Sequence, residues 1–114
     1  MESSLRVLAL LTLFLTAADH WTTFLCLRGP VSGWQVTEAN PIADWLFRSM
    51  GLLPGLVLDS IVTVAAVAFL LTTRLIPSPA KGAILTVVVA WTGYAVFNNL
   101  SAIATLGLSP LGVI

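Results

Sequence analysis

The sequence predicts an all-α integral membrane fold, three transmembrane helices with a short interfacial helix after the first, in a single domain covering residues 1–114. Three observations predict it. Hydrophobic residues make up 58% of the chain and charged residues 9%, with a mean hydropathy of +1.00, whereas soluble domains carry about a quarter charged residues. Three apolar runs are each long enough to cross a bilayer. Most of the charges and turn-forming residues fall between those runs rather than within them.

The first span runs from about 7 to 27. At ~1.5 Å per residue it covers a hydrocarbon core of roughly 30 Å, and Asp19 and His20 are its only strongly polar interruptions. Its beginning is similar to a signal peptide, with Arg6 before an apolar stretch and Thr16-Ala17-Ala18 before Asp19. Hydrophobicity resumes through Phe24-Leu25-Cys26-Leu27, so the segment is expected to be retained as a helix.

Residues 28–51 form an external loop. Gly29-Pro30, Ser32-Gly33 and Asn40-Pro41 mark turns, and Glu38, Asp44 and Arg48 supply charge. Within it Ile42, Trp45 and Leu46 share one helical face while Asp44 and Arg48, four apart, share another. A short helix in the headgroup layer fits, anchored by Trp34 and Trp45. Asn40 before Pro41 is suited to cap that helix, with Pro41 at its first position.

The second span runs from about 52 to 73, with Pro54 tolerated in its first turn and Asp59 as its only charge. Pro77-Ser78-Pro79 reads as a tight connection outside any helix, Lys81-Gly82 opens the third segment, and the third span occupies about 83–105. The tail Ser109-Pro110-Leu111-Gly112 reads as irregular. Arg6, Arg74 and Lys81 on one side against Arg28 and Arg48 on the other place the N-terminus inside and the C-terminus outside.

Several functions are disfavoured by composition. Five basic and five acidic residues balance, leaving no basic surface for a nucleic-acid backbone. The single cysteine, Cys26, excludes an internal disulfide and a Cys-rich metal site. There is no Gly-x-Ser-x-Gly elbow and no phosphate-binding glycine loop, and His20 is the one histidine, so a catalyst is not expected and no motif implies a cofactor. Asp19 and Asp59 have the residue types of a two-carboxylate intramembrane site but lack its flanking sequences.

What remains is a polar cluster. A charge at the bilayer centre costs about 2.5–3.5 kcal/mol on insertion scales, so such groups normally face protein and serve a purpose. Asp19 and Asp59 are expected about 10–12 Å below the same surface, and Asn98 and Asn99 rise toward it on the third helix. Thr12, Thr16, Asp19 and Thr23 share one arc of the first helix; Gly55, Asp59, Thr63 and Ala66 share one of the second. On the third, Thr92, Ala95 and Asn99 form one candidate inward face and Trp91, Tyr94 and Asn98 another. The acids are expected to be protonated, or hydrogen-bonded by His20, the Asn pair and the Thr hydroxyls, or bound to a cation, with Arg28 and Arg48 able to dip in from the interface. Asp19, His20 and Asp59 are the candidate metal ligands, although no spacing such as His-x-x-x-His accompanies them. Glu38 is a candidate lid over the cluster.

Asp19-x-x-Thr22-Thr23, then Glu38-Ala39-Asn40-Pro41, then Asp59 and an Asn near the end of the last helix resemble a group of short bacterial and archaeal membrane proteins of unknown function. The resemblance spans nearly the whole chain and implies that Asp19, Thr23, Glu38, Asn40, Asp59 and Asn99 are the positions to examine first. Length and hydropathy are also similar to small multidrug transporters, but those have four spans and almost no loops. Two functions from different classes follow. The first is a non-catalytic accessory or structural subunit of a larger membrane complex, or a homo-oligomer, with lipid and other membrane subunits as partners. The alternative is a small ion-, proton- or metal-handling protein using the intramembrane carboxylates.

Overall fold

A computed structural model describes residues 3–29 and 36–111. Among the described residues all regular structure is helical, in four elements: α1 (Ser3–Leu27), α2 (Pro41–Met50), α3 (Leu52–Thr72) and α4 (Ser78–Leu106). Three of them, α1, α3 and α4, are long and apolar enough to cross a membrane by length and composition. The turns expected at Pro30 and Ser32-Gly33, the anchor Trp34, and Gly112 of the tail lie outside the described residues.

Two helix starts differ from the sequence reading. Helix α1 begins at Ser3 rather than near Val7, and α4 begins at Ser78 rather than beyond Gly82. Pro77 occupies the N-cap and Pro79 sits in the first turn, where a helix does not need the N–H that proline lacks. The expected break is therefore confined to residues 73–77. At ~1.5 Å per residue the 29-residue α4 is about 43 Å long.

Helix α1 is the centre of the bundle, packing against both α4 and α3, while α2 rests on α3 and no comparable interface joins α3 to α4. Helices α1 and α4 run parallel. Near their starts, Leu5 and Leu85 are buried together with Leu70 of α3; near their ends, Leu25 and Cys26 meet Ile103. The chain then reverses at Gly107, whose φ of 74° is left-handed and suits glycine. The tail returns to α1, where the Trp21 indole Nε1 donates to the Pro110 carbonyl at 2.9 Å.

Lys81 has a role beyond topology. Buried at 8% exposure, it reaches back from the first turn of α4 to the end of α3, where Nζ donates to the Thr73 carbonyl at 2.8 Å and the Leu71 carbonyl at 3.3 Å. Those carbonyls are orphans of the helix terminus and carry its negative partial charge. Lys81→Met keeps the stem and removes the donors. It is expected to cost about 1 kcal/mol, measured by denaturant titration in bicelles, with fraying confined to the 70–78 region.

Asn40 caps α2 as its sequence predicts, its Oδ1 accepting from the Ile42 and Ala43 backbone N–H groups at 3.0 and 3.3 Å. Asp44 and Arg48 pair at 3.1 Å. The expected apolar face is divided: Leu46 turns toward α3 at Gly55, beside Phe47, which the sequence reading does not place on that face, whereas Ile42 and Trp45 remain exposed. The docking geometry decides this, because Gly55 has no side chain and admits the Phe47 ring. Among the described residues α2 contributes no buried residue.

Candidate functional site

Because α1 separates α3 from α4, those two helices converge at Lys81 and diverge toward the other end of the bundle. There they leave a cavity of about 830 Å³. Helix α1 supplies its floor through Thr16, Asp19, His20 and Thr23; α3 supplies Leu56, Asp59 and Thr63; and α4 supplies Trp91, Thr92, Tyr94, Asn98 and Asn99. The segment before α2 closes over it with Glu38 and Asn40. All eight residues singled out from sequence, Asp19, His20, Thr23, Glu38, Asn40, Asp59, Asn98 and Asn99, line this one cavity.

Their connections form two separate sets, dictated by helix geometry. Asp19 and His20 are adjacent in sequence and therefore diverge by about 100° around α1. Asp19 faces α4, where Asn99 is a hub: its Nδ2 lies 3.0 Å from Asp19 Oδ1, 2.9 Å from Thr22 Oγ1 and 3.1 Å from Thr23 Oγ1. Thr22 donates its own hydroxyl to the Ala18 carbonyl at 2.8 Å, which leaves its oxygen free to accept from Asn99.

His20 faces α3. Its Nε2 lies 3.0 Å from Asp59 Oδ2 and its Nδ1 2.7 Å from Ser60 Oγ. Ser60 Oγ is in turn 2.8 Å from the Leu56 carbonyl, and Thr63 donates to the Asp59 carbonyl at 2.8 Å. The pair is unevenly sheltered: the His20 side chain is 13% exposed, whereas the Asp59 side chain is 41% exposed and opens to the cavity.

The two acids thus share a cavity but not a partner. Among the described residues no group of three His, Cys, Asp or Glu side chains converges to hold a metal ion. The candidate metal ligands Asp19, His20 and Asp59 therefore do not converge: Asn99 holds Asp19 on the α4 side, while His20 and Asp59 pair with each other on the α3 side.

Glu38 sits half-buried at the rim, its Oε1 accepting from the Asn40 backbone N–H at 3.0 Å. Neither loop arginine enters. Arg28 lies over the Phe24 ring, 5.9 Å from its centroid, and Arg48 is held by Asp44, so the cavity lining contains three carboxylates and no lysine or arginine among the described residues.

The two candidate faces of α4 are resolved by exposure. Thr92, Ala95 and Asn99 turn inward, while Trp91 and Tyr94 are 73% and 70% exposed, forming the outer wall of the cleft with Asn98. Ala66 on α3 is exposed, so the small-residue stripe Gly55, Asp59, Thr63, Ala66 faces the bundle only over its first part.

Ser60 is the residue the sequence reading missed. The signal was present, since Asp59-Ser60 on α3 mirrors Asp19-His20 on α1 as a pair of consecutive polar residues in an apolar run. No family model, no curated protein and no solved structure matches the chain.

Proposed function

We propose that this chain is a small integral membrane protein of a prokaryotic inner membrane, N-terminus inside, that serves as a non-catalytic accessory or structural subunit of a larger membrane complex or as a homo-oligomer. The observation that carries this is the cleft between α3 and α4. Acyl chains filling it would place the carboxylates of Asp19, Glu38 and Asp59 against hydrocarbon, each with a single side-chain or backbone donor to offset its lost hydration. A helix from a neighbouring subunit or a second copy covers such a cleft while offering hydrogen-bond partners, as polar residues commonly do between membrane helices.

A photo-crosslinking amino acid tests this. Placed at Tyr94 on the cleft wall, it is expected to yield an adduct with a protein that also co-purifies stoichiometrically, or with a second copy. At Leu10, equally exposed on α1, it is expected to label lipid. Lipid adducts alone at both positions, from a chain that elutes as a monomer, would overturn the subunit reading.

A second reading is favoured by one specific observation, the His20–Asp59 pair opening to the cavity through its carboxylate. If water rather than a helix fills the cleft, those residues stand at the bottom of an aqueous funnel, and the chain handles a small ion. Intramembrane acids and histidines mark such paths in many transporters.

A further inference from the structure

We propose that His20, Asp59 and Ser60 form a proton-binding site that takes up one proton and releases it again without moving a heavy atom. This rests on the ion-handling reading and narrows its ion to a proton.

Ser60 Oγ stands between two acceptors, the Leu56 carbonyl at 2.8 Å and His20 Nδ1 at 2.7 Å. A hydroxyl has one proton and two lone pairs, so it can give that proton to either neighbour. In the first arrangement the Ser60 O–H points to a bare Nδ1, and the Nε2–H of a neutral ring donates to an ionised Asp59 at 3.0 Å. The Leu56 carbonyl loses nothing essential, because the helix already gives it a backbone donor.

In the second arrangement one proton has been added. It forms an N–H bond at Nδ1, which now donates to Ser60 Oγ; the hydroxyl rotates about its C–O bond and donates to Leu56. The Nε2–H still faces Asp59. In every arrangement each donor has an acceptor, no carbon, nitrogen or oxygen atom moves, and the net charge of the site changes by one.

A His–Asp pair alone lacks this property. Losing or gaining the Nδ1 proton would then leave a donor or a lone pair without a partner in a low-dielectric surrounding, at the cost of an unmade hydrogen bond. The hydroxyl rotor removes that penalty in both directions. The other titratable groups lining the cavity are Asp19 and Cys26 on α1, Glu38 before α2, and Tyr94 on α4; the Asp44–Arg48 pair of α2 does not line it.

His20 is the only histidine in the chain, so nitrogen-15 NMR of the full chain in lipid nanodiscs, labelled at histidine, reads this site alone. With rising pH the ring is expected to pass reversibly from a form protonated at both nitrogens to the neutral Nε2–H tautomer, with Nδ1 bare. Asp59→Asn replaces the carboxylate by an amide that can either accept from or donate to Nε2, and is expected to mix the neutral tautomers. Asp19→Asn and Glu38→Gln, which do not touch the ring, are expected to leave the tautomer as it is. Ser60→Ala removes the partner of Nδ1 and is expected to mix the neutral tautomers.

A neutral ring carrying its proton on Nδ1, or a ring that keeps one protonation state wherever the chain stays folded, overturns the proposal. The wild-type spectrum decides this even if a variant fails to fold. Proteoliposomes separate the underlying reading. Cation flux without His20 titration overturns the proton site and leaves ion handling; titration without flux of protons or cations supports the site and overturns ion handling.

Discussion

Asn99→Leu is expected to destabilise the folded chain by about 1–2 kcal/mol, measured as the shift in unfolding free energy in bicelles. Leucine keeps the branched shape of asparagine and is larger rather than smaller, so a cavity is not the cause. The loss arises because one amide holds three side-chain oxygens together, those of Asp19, Thr22 and Thr23. Thr22 keeps its bond to the Ala18 carbonyl, so the penalty falls chiefly on Asp19 and on the α1–α4 contact, the most extensive in the fold. A double change, Asn99→Leu with Asp19→Leu, is expected to recover part of the loss, since no carboxylate is then left without its donor. Equal destabilisation by the single and double variants would show that the two residues are not coupled.

Gly55→Leu is expected to undock α2, at a cost of about 1–3 kcal/mol, the usual range for overpacking a filled site. Any Cβ at this position would lie 2.8 Å from Phe47 Cδ1, closer than real contacts come, so the ring has to shift. Helix α2 is only Pro41–Met50 and has no buried residue of its own, so it yields before α3 does. Amide hydrogen exchange across Pro41–Met50 is expected to accelerate while α1 and α4 remain protected. Phe47→Ala in the same chain is expected to restore protection in part, because it returns the space that the new side chain needs. Unchanged exchange in Gly55→Leu would mean that α2 is held by contacts other than this one.

Much of the fold was legible in the sequence, for physical reasons that can be named. Spans are set by the length of apolar runs, and a bilayer accepts few other backbone solutions, so three helices follow from composition alone. Asn40-Pro41 was equally legible, because the cap and the first-turn proline act within one turn of chain. The start of α4 was not. Pro79 reads as a breaker in isolation, and only the helix actually formed around it reveals that it sits where its missing N–H is unneeded.

The candidate site was legible as a set but not as a circuit. Depth counting brings Asp19, Asp59 and Asn99 to one level because helical rise is fixed. Spacing could not say that Asp19 would be taken by Asn99 and Asp59 by His20. That outcome follows from the order of the helices, with α1 between the other two, so that its consecutive polar residues point to opposite neighbours. Ser60 escaped notice because a serine in a membrane helix usually satisfies itself on the preceding turn, and it does so here with Leu56 while also meeting His20.

The amino-acid sequence by itself determined that the chain is helical, apolar enough to span a membrane three times, and equipped with a few polar side chains that hydrocarbon cannot accommodate. Those properties are local, fixed by hydropathy and by the turn residues between runs. Only the tertiary structure decided which polar group meets which, that α3 and α4 stand apart, and that the metal candidates separate into an Asp19–Asn99 set and a His20–Asp59 set. Pairing depends on the rotation and order of packed helices, and these are settled by small contacts such as Phe47 on Gly55 and the cluster of Leu5, Leu70 and Leu85.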